Sequence, residues 1–93
     1  MPRFTDKTVV ITGASRGIGA AIARRFAAEG ASVLLAANEP SVAEAAARIA
    51  AEGGRTASFV ADVTDPAQVA ALYDEAEKRF GTVDISIQNA GVI

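Results

Sequence analysis

The feature that most constrains this chain is TVVITGASRGIG, Thr8 to Gly19, where a β-branched apolar run leads directly into three glycines within seven positions. Each glycine placed in a regular element costs about 0.5–1 kcal/mol relative to alanine, so such a cluster marks a place where backbone turns sharply or comes close to something. The run before it, KTVVIT, lacks polar alternation, as expected of a strand buried on both faces of a parallel sheet. After it, GIGAAIARRFAAEG has Ile18, Ile22 and Phe26 four apart and is predicted to form an amphipathic helix ended by Gly30. A glycine turn between a buried parallel strand and a helix presents backbone N–H groups at the positive end of the helix dipole, which is a phosphate site. The alternative is that Gly13, Gly17 and Gly19 only let helix and strand pack closely. The flanking strand and helix are those that nucleotide binding requires, and this favours the phosphate reading. No Gly-Lys-Ser/Thr follows the glycines, so a phosphoryl-transfer loop is disfavoured.

The rest of the chain repeats the alternation. Ala31–Ala37 has buried-strand composition, Asn38-Glu39-Pro40-Ser41 breaks it, and VAEAAARIAAEGG is predicted to be a second helix stopped by Gly53 and Gly54. Thr56–Val60 is a third short strand. A third helix follows, with Thr64 or Asp65 as N-cap, Pro66 in its first turn, Val69, Leu72, Tyr73 and Ala76 on one face, and Gly81 as its stop. Val83–Gln88 reads as a fourth strand, apolar on both faces along VDISI. The order βαβαβαβ implies an α/β fold: a Rossmann-type, doubly wound parallel sheet with right-handed crossovers and helices on both faces. Ninety-three residues allow one domain at most, with marginal stability on their own.

Composition narrows the function. A net charge of −2 and scattered basic residues leave no footprint for nucleic acid. With neither cysteine nor histidine, the usual zinc ligands and any disulfide framework are missing, which fits a cytoplasmic protein. No apolar stretch approaches the length of a membrane span or signal core, so neither membrane nor secretion is expected.

The glycine spacing is Thr12-Gly13-x-x-x-Gly17-x-Gly19, not the general G-x-G-x-x-G, and three further segments accompany it: FG-x-VD at Phe80–Asp84, Asp62-Val63, and QNAG at Gln88–Gly91. In these motifs the chain resembles the classical branch of the short-chain dehydrogenase/reductase family, whereas the T-G-x-x-G-x-x-G of the extended branch does not fit. The resemblance implies an oxidoreductase that transfers hydride between a nicotinamide dinucleotide and a small alcohol or ketone, and that forms a homo-oligomer when complete. It implies that Gly13, Ser15, Arg16, Gly17, Ile18 and Gly19 surround the diphosphate and adenosine ribose, with the Ile18 N–H at the phosphate. Asp62 would bond the adenine amino group, Val63 would contact the ring through its backbone, and Asn89, Ala90 and Gly91 would line the adenosine side while tying in the fourth strand. As plain structural residues, Asp62 would cap the third helix and Asn89 would end a strand. Gln88 and Ser86 depart from the asparagine and apolar residue usual in the family.

The end of the second strand, where an acid would bind the ribose hydroxyls of NAD and repel a 2′-phosphate, is Ala37. With Arg16 in the glycine loop able to pair with that phosphate, NADP is expected, with NAD as the alternative. Asn38 stands where many NADP-preferring relatives carry arginine, and Glu39 could turn inward to the ribose of NAD. Arg16 also reads as a solvated loop cation. The family's catalytic Tyr-x-x-x-Lys, serine and asparagine have no counterpart here: Tyr73, the only tyrosine, is followed four residues later by Glu77 and sits on the apolar face of its helix. The expectation is a dinucleotide-binding half over residues 1–93, inactive alone, with the catalytic half outside it. A non-catalytic nucleotide-binding or regulatory module and a nonfunctional fragment are the other readings.

Overall fold

The computed structural model describes residues 3–15 and 17–89. The elements follow in the order β1 (Thr8–Thr12), α1 (Gly17–Ala28), β2 (Ser32–Ala37), α2 (Val42–Ala51), β3 (Arg55–Val60), α3 (Pro66–Phe80) and β4 (Ile85–Gln88). All four strands are parallel in one sheet of order β3-β2-β1-β4. The family-type α/β architecture expected from the alternation is therefore present.

Burial explains the strand compositions. Every residue of β1 and β2 is buried, and their side chains divide between the two faces. Val9, Ile11, Val33 and Leu35 join Ala23 and Ala27 of α1 and Val42, Ala45 and Ile49 of α2 in one core. On the other face Val10, Leu34 and Ala36 meet Leu72 and Ala76 of α3. The alanines let α1 and α2 lie close to the sheet. Right-handed crossovers account for the layering: α1 and α2 carry the chain outward over one face, and α3 brings it back over the other to place β4 on the far side of β1.

Three sequence expectations are corrected. Ile18 is not part of the buried stripe of α1 but is 70% exposed; Gly19, Ala23 and Ala27 face the sheet, with Ile22 and Phe26 half-buried beside them. The fourth strand is not apolar on both faces, because only Ile85 and Ile87 pack on the α1/α2 core while Ser86 and Gln88 are exposed on the α3 side. Its pairing starts at Ile85 rather than Val83, since Asp84 turns its carboxylate back to the Thr8 N–H (2.8 Å) and its own N–H to the Thr8 carbonyl (2.9 Å). Ser86 finds a partner in the Tyr73 hydroxyl of α3, so the polar substitution in that strand is matched by the tyrosine above it. Of the two N-cap candidates for α3, Asp65 takes the role by accepting from Ala67 N at 3.0 Å.

Candidate nucleotide site

The connections run outward from β1 to β2 and β3 and then back across to β4 on the other side of β1, so the loops leaving the carboxyl ends of β1 and β4 part and leave a crevice, the position at which open parallel α/β sheets bind ligands. Register places Thr12 beside Gln88 and Ala36, and Ala37 beside Val60, so the segments that follow β1, β2, β3 and β4 all emerge at one edge. The expected site residues Gly13, Ser15, Gly17, Ile18, Gly19, Ala37, Asn38, Asp62, Val63 and Asn89 are thereby gathered along that edge. Arg16, Ala90 and Gly91 lie outside the described residues.

The glycines have different reasons. Gly13 and Gly17 have φ of +64° and +63°, the left-handed region that disfavours side chains, and a Cβ on Gly17 would meet nothing within 4 Å. At Gly19 a Cβ would lie 2.1 Å from the Gly13 carbonyl oxygen and 2.8 Å from Asn89 Nδ2. Close packing, weighed above against a ligand role, thus explains Gly19 outright. It does not explain the open left-handed turn at Gly17, which starts a helix whose first residues are exposed. Asn89 locks the crevice from the other side: its backbone N–H donates to Thr12 Oγ1 (3.1 Å) and its Nδ2 to the Gly13 carbonyl (3.2 Å). It both ends β4 and holds the glycine loop.

Asp62 follows β3 on the exposed edge. Its Oδ1 accepts from the Thr64 hydroxyl (2.6 Å) and the Thr64 N–H (2.9 Å), and these two bonds hold its carboxyl below the usual aspartate range. It is therefore an ionised acceptor fixed in a turn, and capping of α3 falls to Asp65 instead. Val63, 39% exposed, lines with Thr12, Val69, Leu72, Tyr73 and Gln88 a cavity of about 210 Å³ opening beside β1 and β4. Its wall combines apolar Val63, Val69 and Leu72 with the polar groups of Thr12, Tyr73 and Gln88, a lining that suits a flat heteroaromatic ring. An open helix N-terminus, a left-handed glycine turn and this slot together fit an adenine dinucleotide.

One contact was legible only in part. Ser15 is buried and its hydroxyl donates to Glu39 Oε1 at 2.6 Å, tying the glycine loop to the segment after β2. The separation of 24 residues is close to the roughly 20 that part glycine loop from ribose acid in dinucleotide folds. Among the described residues no cluster of acids could hold a metal ion, and no helix is long and apolar enough to cross a membrane.

Fold and crevice are those of a Rossmann-type α/β protein, a parallel sheet with interleaved helices. A sequence profile described as short chain dehydrogenase matches residues 7–93, and the chain belongs to that family. It is 45% identical over 92 residues to Oxidoreductase UcpA of Escherichia coli K12, covering 99% of this chain and 35% of that protein. It is 47% identical over 88 residues to 3beta-hydroxysteroid dehydrogenase 1 of Eggerthella lenta, covering 92% and 34%. Among solved structures, a hydroxysteroid dehydrogenase from Escherichia coli superposes with a TM-score of 0.93 at 36% identity, over 97% of this chain and 39% of the other. A short-chain type dehydrogenase/reductase from Mycobacterium marinum gives 0.91 at 37%, over 97% and 37%. The chain spans about a third of the length of the relatives it matches.

Proposed function

We propose that these 93 residues are the dinucleotide-binding half of a cytoplasmic, NADP-preferring oxidoreductase acting on an alcohol or ketone. The observation that carries the reading is the crevice itself: an open left-handed glycine turn at a helix N-terminus, closed on the far side by Asn89 and flanked by Asp62 and Val63. In it the N–H groups of Gly17–Gly19 hold the diphosphate, Asp62 takes the adenine amino group, the Val63 backbone meets the ring, and Asn89 with Ala90 and Gly91 forms the adenosine wall. The bound nicotinamide supplies the hydride donor or acceptor. These residues contain no Tyr-x-x-x-Lys pair, so on this reading proton transfer belongs to sequence outside them, and the likeness to the family supports a homo-oligomer for the complete protein.

NADP is favoured because β2 ends in Ala37, which carries no charge to repel a 2′-phosphate, and because Arg16 in the glycine loop supplies a cation. Titration with NADP should perturb the Gly17–Gly19 amides more than those of distant helices; silence at millimolar ligand in folded protein refutes nucleotide binding. In the complete enzyme Ala37→Asp should swing the kcat/KM ratio toward NAD about tenfold or more, since an added carboxylate repels the phosphate and accepts from the ribose diol. An unchanged ratio would remove the NADP assignment.

A further inference from the structure

We propose that Gln68 is a positioning residue for purine recognition: it holds the turn that carries Asp62 and so sets how strongly adenine is preferred to other purines. The inference rests on the reading above that Asp62 takes the adenine amino group. Asp65-Pro66-Ala67-Gln68, at the start of α3, has the spacing of a capping box, in which the fourth side chain ordinarily returns to the backbone N–H of the first residue. Here the Asp65 N–H is taken by the Asp62 carbonyl (3.1 Å), and Gln68 reaches three residues further back, where its Oε1 accepts from the Asp62 N–H at 2.7 Å. Its Nε2 donates to Asp65 Oδ2 at 3.2 Å. A backbone N–H only donates and a carboxylate only accepts, so the partners themselves tell the two ends of the amide apart.

The two peptides flanking Asp62 are thus both held from the start of α3. Gln68 holds the one before it, and Asp65 the one after it, which carries the Val63 N–H. Between them the Asp62 side chain is fixed by Thr64, whose hydroxyl and N–H both meet Oδ1, so that Oδ2 remains to accept from a ligand. Val69, the next residue along α3, lines the same cavity as Val63. One helical turn therefore carries part of the cavity wall and the anchor of the Asp62 turn. Removing the Gln68 oxygen frees the Ala61–Asp62 peptide and leaves the Thr64 and Asp65 bonds in place. A role in helix capping alone would run through the bond to Asp65 instead.

The test is calorimetric titration of the complete protein with NADP, NAD and their deamino forms, in which hypoxanthine replaces adenine and a carbonyl oxygen replaces the amino group. The parent, Gln68→Met and Gln68→Glu are compared. Met keeps the length of the side chain without a hydrogen bond, whereas Glu keeps an oxygen for the Asp62 N–H but offers no donor to Asp65. Gln68→Met is expected to lower the ratio of adenine to hypoxanthine affinity about three- to tenfold, the size of one hydrogen bond, and to speed hydrogen exchange of the Asp62 amide. Gln68→Glu should keep that ratio within about twofold of the parent, because the bond to Asp62 survives. Gln68 is exposed, and thermal melts establish that both variants fold; Gln68→Ala repeats the reading without the thioether. If the parent prefers adenine and the Met variant keeps that preference, the role of Gln68 is overturned while the adenine reading stands. A Glu variant that loses as much as Met puts the effect in the helix cap and overturns it too. A folded parent that binds both purines equally removes the Asp62 assignment, and this proposal with it.

Discussion

Replacing Gly19 with alanine tests the close approach of α1 to the glycine loop. In an unobstructed helix the change would stabilise by about 1 kcal/mol through helix propensity alone. Here the added Cβ would sit 2.1 Å from the Gly13 carbonyl oxygen, far inside the 3.4 Å at which ordinary van der Waals contact begins. No side chain can turn aside to relieve it, because the obstructing atom is backbone. The same carbonyl accepts from Asn89 Nδ2, so moving it also disturbs the tie to β4. Overpacking a rigid site costs about 1–3 kcal/mol, and backbone obstruction puts this case at or above the upper end. Set against the propensity gain, a net loss of roughly 2 kcal/mol is expected, or a Tm lower by about 4–8 °C for a domain of ordinary enzyme size. Thermal melts of the complete protein measure this, with the NMR signal of the Asn89 side-chain amide as the local readout. Ala21→Gly, at an exposed position of the same helix, is the control and should cost only about 1 kcal/mol. A Gly19→Ala protein as stable as its parent, with an unshifted Asn89 amide, would refute the close-packing argument.

The order of elements was legible because the hydrophobic period changes from a continuous apolar run to a helical stripe and back at each glycine or proline break. Where the elements sit in the sheet was not, because sheet order is a property of the crossovers and not of any one segment. Thr56–Val60 and Val83–Gln88 therefore read as strands without any sign that β3 and β4 flank the described sheet, and the exposed Ser86 makes sense only with Tyr73 placed above it. Ile18 misled for a related reason. It has the spacing of a core residue, but it lies in the first turn of α1, at the sheet's carboxyl edge, and remains 70% exposed. At the site, motif spacing located the loops, and the structure supplied what joins them. The bonds from Asn89 to Thr12 and Gly13 span more than 70 residues, and the bond from Ser15 to Glu39 joins two loops across strand and helix. Sequence spacing suggests such partners but does not decide which oxygen meets which hydroxyl.

Two further outcomes are expected. Because the Thr64 hydroxyl and N–H favour the charged form of Asp62, its contribution to loop order is complete above the unfolded-state value and lost only as pH falls through the lowered folded one. Carboxyl-detected NMR should show Asp62 titrating below the usual aspartate range, and Thr64→Val should move its midpoint upward; an unmoved midpoint would mean that the side-chain bond does not set it. The second concerns Met1–Ile93 taken alone, which should lack dehydrogenase turnover and self-associate. Among the described residues both edges of the sheet are unpaired, but they differ: β3 carries Arg55 and ends beside a helix-capping turn, whereas β4, Ile-Ser-Ile-Gln, has no charge to deter a second strand. The Tyr73–Ser86 contact covers one point of its α3-side face, leaving the outer N–H and C=O groups as a template for pairing. Light scattering should therefore report dimers or larger species, and a lysine at Ile87 or Gln88 should reduce them, Gln88 at the smaller cost to the core because it is exposed while Ile87 packs against the α1/α2 cluster. A monomer that unfolds cooperatively and oxidises cofactor with a ketone panel would overturn both the exposed-edge argument and the placement of proton transfer outside these residues.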